Sequence, residues 1–220
     1  MKPNAIVILS GGLDSTVLTY FIKNLNYNPY AITFNYGAKH NRKEIICAMK
    51  TCKLLGIPHK LITIPLDSLF TSSSLLVSNK HDIPKEDYSV DNQKQTVVPN
   101  RNMILLALAV GVAEDMGIST VFYGAHKNDY AIYPDCRPEF VEYLSKASKK
   151  GTYHKVEIVA PFVHKTKAEI VKEGINLSVP FQNTWSCYVG GGSPCGSCGT
   201  CREREKAFEE AGVEDTLMKK

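Results

Sequence analysis

The feature that most narrows what this chain can fold into is the alternation of short apolar runs with helical patterns. Residues 5–9, Ala-Ile-Val-Ile-Leu, read as a buried strand. Residues 15–25 follow with Val17, Leu18, Phe21 and Leu25 on one helix face. Further strands are expected at 30–35, 60–64, 120–123 and 156–159. Further helices are expected at 42–55 (Ile45, Ile46, Met49 and Cys52 inward, stopped by Gly56 and Pro58), 102–116, 138–147 and 167–173. This order predicts an α/β fold with a mostly parallel five-stranded sheet and helices on both faces. Residues 66–97 break the pattern with a polar stretch and read as a lid or insertion. From 182 the composition turns to Cys, Gly and Pro, and then to a charged helix at 202–211. The expected division is a main domain at 1–181 and a small tail at 182–220.

The hydrophobic share, 44% of 220 residues, supplies a full core without disulfides or metal. No apolar run reaches the roughly 18 residues of a membrane helix, and no signal-peptide pattern opens the chain. A soluble, cytoplasmic protein with no membrane partner is expected. The net charge of +4 suits anionic small molecules and is weak support for nucleic-acid binding. Seven cysteines, an odd number, argue against a disulfide framework.

Between the first strand and the first helix lies Ser10-Gly11-Gly12-Leu13-Asp14-Ser15-Thr16. Two glycines permit close backbone approach, and the helix start offers free N–H groups to an anion. Ser10, Ser15 and Thr16 add hydroxyls. Asp14 repels phosphate unless a cation such as Mg²⁺ intervenes. The string matches neither Gly-x-x-x-x-Gly-Lys-Ser/Thr nor Gly-x-Gly-x-x-Gly.

Cys187, Cys195, Cys198 and Cys201 can close one tetrahedral site, with glycines between them for tight turns. Zinc fits four thiolates, and an iron–sulfur cluster is the rival. A four-cysteine zinc site is closed, so its role would be structural. Cys47 and Cys52 lie on a helix inner face and read as packing residues. Cys136 falls inside a candidate substrate loop.

Ser-Gly-Gly-Leu-Asp-Ser resembles the pyrophosphate loop of the N-type ATP pyrophosphatases, which adenylate an oxygen, release pyrophosphate and let a nucleophile displace AMP. Four further stretches narrow the likeness: Phe34 to His40, Val98-Pro99-Asn100-Arg101-Asn102, the loop Gly124 to Tyr130 continuing into Tyr133-Pro134-Asp135-Cys136-Arg137, and the cysteine tail. Together they resemble the 7-cyano-7-deazaguanine synthase family, from residue 5 to about 207. Asn100 departs from the pattern, where many relatives would have Gly.

The resemblance implies a Rossmann-like, adenine nucleotide alpha hydrolase-like fold. It implies conversion of 7-carboxy-7-deazaguanine and ammonia to the nitrile through adenylated carboxylate and amide, in a homodimer with structural Zn²⁺ and with Mg²⁺ accompanying ATP. ATP would lie on Leu9, Ser10, Gly11, Gly12, Leu13, Asp14, Ser15, Thr16, Val17, Leu18 and Thr19. Asp14, Ser15, Arg101 and Lys167 would serve catalysis, with Lys167 facing the departing pyrophosphate. Tyr36, Lys39, Tyr133, Asp135 and Arg137 would meet the heterocycle. Simpler readings stand beside these: a surface ion pair for Arg101, a core aromatic for Tyr133, an Asp135–Arg137 pair, and a solvated helix lysine for Lys167. His40 and His126 are given no proton-transfer role. Two other activities share parts of the pattern: a tRNA-thiolating enzyme and a zinc-bearing nucleic-acid binding module. No stable nucleic-acid partner is expected.

Overall fold

Ala5, Ile6 and Val7 have no exposed surface, because the first strand is covered on both faces. Ile6 packs with Ile32, Leu106 and Val121 on one side. Ala5 and Val7 pack with Val17, Leu18 and Ile22 on the other. A strand apolar on both faces belongs in the middle of a parallel sheet, and that is its place in the computed structural model, which describes residues 2–85 and 93–218.

The elements are β1 (Asn4–Ile8), α1 (Leu13–Asn24), β2 (Asn28–Asn35), α2 (Asn41–Leu55), β3 (His59–Thr63), the single turn α3 (Leu66–Leu69), α4 (Arg101–Asp115), β4 (Thr120–Phe122), α5 (Pro138–Gly151), β5 (Glu157–Val159), α6 (Lys167–Asn176) and α7 (Gly199–Ala211). The strand order is β3-β2-β1-β4-β5, and every pairing is parallel. The expected five-stranded parallel sheet is therefore present. The order in which strands are added reverses between β1 and β4, and ligands of such sheets bind at the carboxyl ends of the strands beside that switch point. Ser10, Tyr36 and Gly124 all lie just past such ends.

Local sequence accounts for the boundaries. Gly56 ends α2 in the left-handed region, at φ 61°. Thr166 and Glu169 form a reciprocal capping box that starts α6. Asn100 precedes α4 at φ 53°. That conformation suits glycine and is tolerated by asparagine, which gives the substitution at this position a physical reason. α7 begins three residues earlier than its charged pattern suggests, with Cys198 at the N-cap position.

The polar stretch 66–97 carries buried anchors. Leu66, Leu75, Leu76 and Ile83 join the core, and Leu76 bridges Ala38. Its residues 86–92 lie outside the described ones. The tail also packs inward: Trp185, Cys187, Cys198 and Cys201 belong to one core cluster, and Ala207 and Phe208 to the other.

One expectation needs correcting. Lys94–Asp115 is a 22-residue helical stretch long and apolar enough to cross a membrane by length and composition. The sequence reading missed it because its apolar residues are interrupted rather than continuous. In the fold, Leu105, Leu106, Ala109 and Ala113 of α4 are buried in the protein's own core, which gives the stretch an ordinary reason to be apolar.

Candidate active site

The loop after β1 is held by its own hydroxyls. Ser10 Oγ and Ser15 Oγ lie 2.9 Å apart, the Gly12 N–H donates to Ser10 Oγ at 3.0 Å, and the Ser10 N–H donates to Ser15 Oγ at 3.2 Å. Gly11 has φ +90°, and a Cβ there would sit 2.1 Å from the Glu44 carbonyl oxygen. Glycine is thus required both for the turn and for the approach of α2. The Gly11 carbonyl accepts from the Trp185 N–H at 2.9 Å, which ties the tail to the loop.

Ser10, Gly12, Leu13, Asp14 and Ser15 line a cavity. The rest of the expected ATP segment does not. Leu9, Val17 and Leu18 are fully buried in the core beneath the loop. Thr16 is 1% exposed, and the Thr19 hydroxyl donates to the Ser15 carbonyl at 2.7 Å. Helical rotation turns these residues away from the mouth, so they support the loop rather than touch a ligand.

A charge cluster completes this end. Lys167 Nζ lies 2.7 Å from Glu203 and 3.4 Å from Asp14. His126 Nε2 lies 3.3 Å from Asp129 and 3.6 Å from Asp14. Lys167 is 6% exposed, so the solvated-lysine reading is excluded. The capping box places it at the first position of α6, and its N–H donates to Asn128 at 3.2 Å. Burial alone would raise the Asp14 carboxyl, but Lys167 and His126 outweigh it and hold the group well below the usual carboxylate range. Burial opposes a charged Lys167, yet Asp14 and Glu203 hold it above the ordinary lysine value. Asp14 thus has internal counter-charges, and its presence in a phosphate site does not by itself require a metal.

His126 is likewise pushed up to about 9, against burial, by Asp129 and Asp14. Its folded value exceeds its unfolded one, so the stability it contributes is complete below about pH 6.5 and is lost as pH rises through about 9. Urea unfolding at pH 6 and pH 10 is expected to differ by roughly 3 kcal/mol from this group. His126→Gln should remove most of that difference.

At the far end of the cavity, Arg101 sits over the Tyr36 ring, 5.7 Å from its centroid, and donates to Tyr36 Oη at 3.4 Å. Tyr133 Oη lies 3.1 Å from Thr96 Oγ1 and 3.3 Å from Tyr188 Oη. Arg101, Tyr36 and Tyr133 all line the space, so Arg101 is no surface ion-pair residue, while Tyr133 fits the core-aromatic reading as well, since it belongs to the core cluster. Three other expected substrate residues point elsewhere. Asp135 accepts from the Asn102 N–H at 2.9 Å and so neutralises the start of α4. Arg137 donates to the Tyr130 carbonyl at 2.9 Å on the exposed side, and among the described residues it forms no ion pair with Asp135. Lys39 donates outward to the His81 carbonyl at 2.8 Å. The composition of these loops suggested a polar ring site, but composition carries no side-chain direction.

The empty space totals about 1170 Å³ with its open mouth included, enough for a nucleotide beside a small heterocycle. Its lining includes Glu44, Trp185, Tyr188 and Glu203, which the sequence reading did not single out as ligand-facing. Cys136 also lines it, and Asn102 Nδ2 lies 3.2 Å from its sulfur.

The four expected cysteine sulfurs lie within 4.8 Å of one another. Cys195 and Cys201 sulfurs are 3.9 Å apart, near the roughly 3.8 Å edge of a tetrahedron with 2.3 Å metal–sulfur bonds. The N–H of Cys195 donates to Cys187 Sγ at 3.3 Å, and that of Cys198 to Cys195 Sγ at 3.3 Å, which favours thiolates. The donor set fits one tetrahedral metal ion.

Comparison with known proteins agrees with this arrangement. The chain is 48% identical over 219 residues to a 7-cyano-7-deazaguanine synthase of Marinomonas sp. (strain MWYL1), covering 99% of this chain and 98% of that one. It is 46% identical over 213 residues to a 7-cyano-7-deazaguanine synthase of Methanoregula boonei, covering 97% of each. Among solved structures, NMN synthetase from Francisella tularensis superposes with TM-score 0.50 at 16% identity, covering 99% of this chain and 90% of that one. The U34-tRNA thiolase NcsA from Methanococcus maripaludis does so with TM-score 0.50 at 18% identity, covering 100% and 77%. These two likenesses concern the fold. The family of queuosine biosynthesis protein QueC matches residues 4–212, and this chain belongs to that family.

Proposed function

We propose that this chain converts 7-carboxy-7-deazaguanine and ammonia to 7-cyano-7-deazaguanine with two molecules of ATP, releasing AMP and pyrophosphate. The observation that carries the reading is one continuous cavity. The phosphate loop with Asp14 and Lys167 lies at one end, and Arg101, Tyr36 and Tyr133 at the other. The first end suits a leaving pyrophosphate: free N–H groups open α1, and Lys167 lies close enough to balance the charge that develops. The second suits a flat heterocycle bearing a carboxylate. Tyr36 and Tyr133 offer aromatic and hydroxyl contacts, and Arg101 can hold the carboxylate oxygens against the α-phosphorus.

In this reading the substrate carboxylate is adenylated, ammonia displaces AMP to leave an amide, and a second adenylation on the amide oxygen allows loss of AMP to the nitrile. The protein supplies position and charge balance, with no protein nucleophile. The second oxygen of Asp14, Oδ1, is buried without a partner and could hold a Mg²⁺ brought with ATP. That ion would neutralise phosphate charge. Cys187, Cys195, Cys198 and Cys201 would hold a structural Zn²⁺ that fixes the tail. A homodimer and a cytoplasmic setting, implied by the family resemblance, belong to the same reading, as does the lack of a stable nucleic-acid partner.

The test is pyrophosphate release from ATP with 7-carboxy-7-deazaguanine or tRNA as the trigger. Release with the deazaguanine and not with tRNA is expected, and the reverse would overturn the reading. Asp14→Ala should lower substrate-dependent release at least a hundredfold. It should remain folded, because Lys167 keeps Glu203 and His126 keeps Asp129.

A further inference from the structure

Glu44 is the cavity's unexplained acid. It lies in the first turn of α2, and its own carbonyl is pressed against Gly11, so its backbone is fixed to the phosphate loop. Its Oε1 lies 3.8 Å from the point where a Cβ on Gly12 would be. The carboxyl therefore sits beside the loop, as does the Trp185 carbonyl, and lines the cavity with Tyr36. Its side chain is only 15% exposed. His40 Nε2 approaches to 3.6 Å, too long for a hydrogen bond. A half-buried carboxyl that lines a binding cavity and has no protein hydrogen bond among the described residues is open to a ligand that donates.

We propose that the Glu44 carboxylate binds the ammonium ion and takes its proton, so that free ammonia is released next to the adenylated carbonyl. This rests on the synthase reading above. Ammonium predominates in neutral solution, but only ammonia has the lone pair that can attack. A site for it needs an anion to attract the cation, a base to deprotonate it, and walls that keep water off the adenylate. Glu44 supplies the first two. Tyr36, Tyr188 and Trp185 line the same space and supply the walls.

The step balances. Glu44 carboxylate and ammonium become Glu44 carboxylic acid and ammonia. The ammonia lone pair forms the C–N bond, and the C–O bond to AMP breaks with its electron pair leaving on AMP. The nitrogen then sheds its surplus proton to solvent at the cavity mouth, and Glu44 returns its own proton by the same route.

The surroundings suit this exchange. On α2, Glu44 is faced by His40 and Cys47; after β2, by Tyr36; on α4, by Arg101; from the tail, by Tyr188 and Trp185. His40 is held down to about 3, by burial and then by Arg101, so it is neutral. Arg101 is engaged over Tyr36. Burial pushes the Glu44 carboxyl up to about 8, with Arg101 opposing, so the carboxylate that attracts and deprotonates ammonium is the minor form at pH 7 and grows as pH rises through about 8.

The experiment uses the metal-loaded enzyme with ATP, 7-carboxy-7-deazaguanine and ammonium chloride from pH 6.5 to 9.5. Amide and nitrile are measured together with pyrophosphate–ATP exchange on the same preparation. In Glu44→Gln, kcat/KM for ammonium at pH 7 should fall about a hundredfold relative to exchange, and its pH profile should track the fraction of free ammonia alone. Hydroxylamine, which is neutral at pH 7, should restore turnover in this variant, and Glu44→Asp should recover part of the ammonium rate. An unchanged ammonium profile in Glu44→Gln would overturn the proposal. So would an equal loss of exchange and of turnover with both nucleophiles, because that pattern marks a packing role. Absence of deazaguanine-dependent exchange in the wild-type enzyme would instead refute the synthase reading itself.

Discussion

Lys167→Met is expected to lower deazaguanine-dependent pyrophosphate release by about a thousandfold, and to destabilise the protein by about 3–5 kcal/mol. The two effects share one cause. Lys167 is 6% exposed and lies within 3.4 Å of Asp14 and 2.7 Å of Glu203. Methionine fills its volume but leaves Glu203 without its cation and Asp14 with His126 alone, and breaking a buried pair on one side costs about that much. For the chemistry, loss of one preorganised charge where negative charge develops typically costs a hundred- to a thousandfold in rate. The carboxylates left behind would also repel pyrophosphate, which places the variant at the upper end. Urea unfolding and a coupled pyrophosphate assay check the two parts separately. The double variant Lys167→Met with Glu203→Gln should recover part of the stability and little of the activity. Equal recovery of both would mean that Lys167 is only a structural partner of Glu203.

Cys198→Ser should abolish stoichiometric metal binding, lower the unfolding free energy by on the order of 3 kcal/mol or more, and depress pyrophosphate release. The third effect follows from where Cys198 sits. It is fully buried and stands at the N-cap position of α7, the helix that carries Glu203 and Arg204. Arg204 is itself buried. Its side chain donates to Asp215 Oδ1 at 2.9 Å, to Thr184 Oγ1 at 2.7 Å and to the Phe181 carbonyl at 3.2 Å. Loosening the helix start therefore releases both the partner of Lys167 and the clamp on the strand-free segment before the cysteines. Metal analysis by mass spectrometry, thermal unfolding and the pyrophosphate assay give three independent readings. A metal-free variant with unchanged stability and activity would refute the structural-metal assignment.

The features legible in the sequence were those written in consecutive residues. The phosphate loop, the strand–helix alternation and the cysteine spacing each depend on neighbours along the chain, and each appears in the fold; the face of α2 does not follow its pattern, because Ile46 and Met49, expected inward, are exposed while Cys47, Ala48, Thr51 and Cys52 are buried. Glu44 and Glu203 were not legible as ligand-facing. Each is one of several charged residues on its helix, and only the packing of α2 on Gly11 and of α7 on α6 sets it apart. The loop from Tyr130 to Arg137 shows the opposite failure. It has the residue types of a ring-binding site, but Asp135 is taken by the α4 N-terminus and Arg137 by the Tyr130 carbonyl. Val17, Leu18 and Thr19 fail for a third reason: they follow a binding motif in order, yet helical rotation carries them into the core.

The contact between Lys167 and Glu203, with the bond from Trp185 to Gly11, fixes an order of events during synthesis. The phosphate loop emerges from the ribosome before its charge partners, which follow more than a hundred residues later. At about 5–20 residues per second, Asp14 waits several seconds or longer for Lys167, and Lys167 waits further for Glu203. Until α7 has docked, a nascent chain can build its sheet but cannot hold the buried lysine in place. Nucleotide binding should thus appear late in translation, and ribosome-bound chains stopped before residue 203 would test whether the ATP site is withheld until the tail arrives.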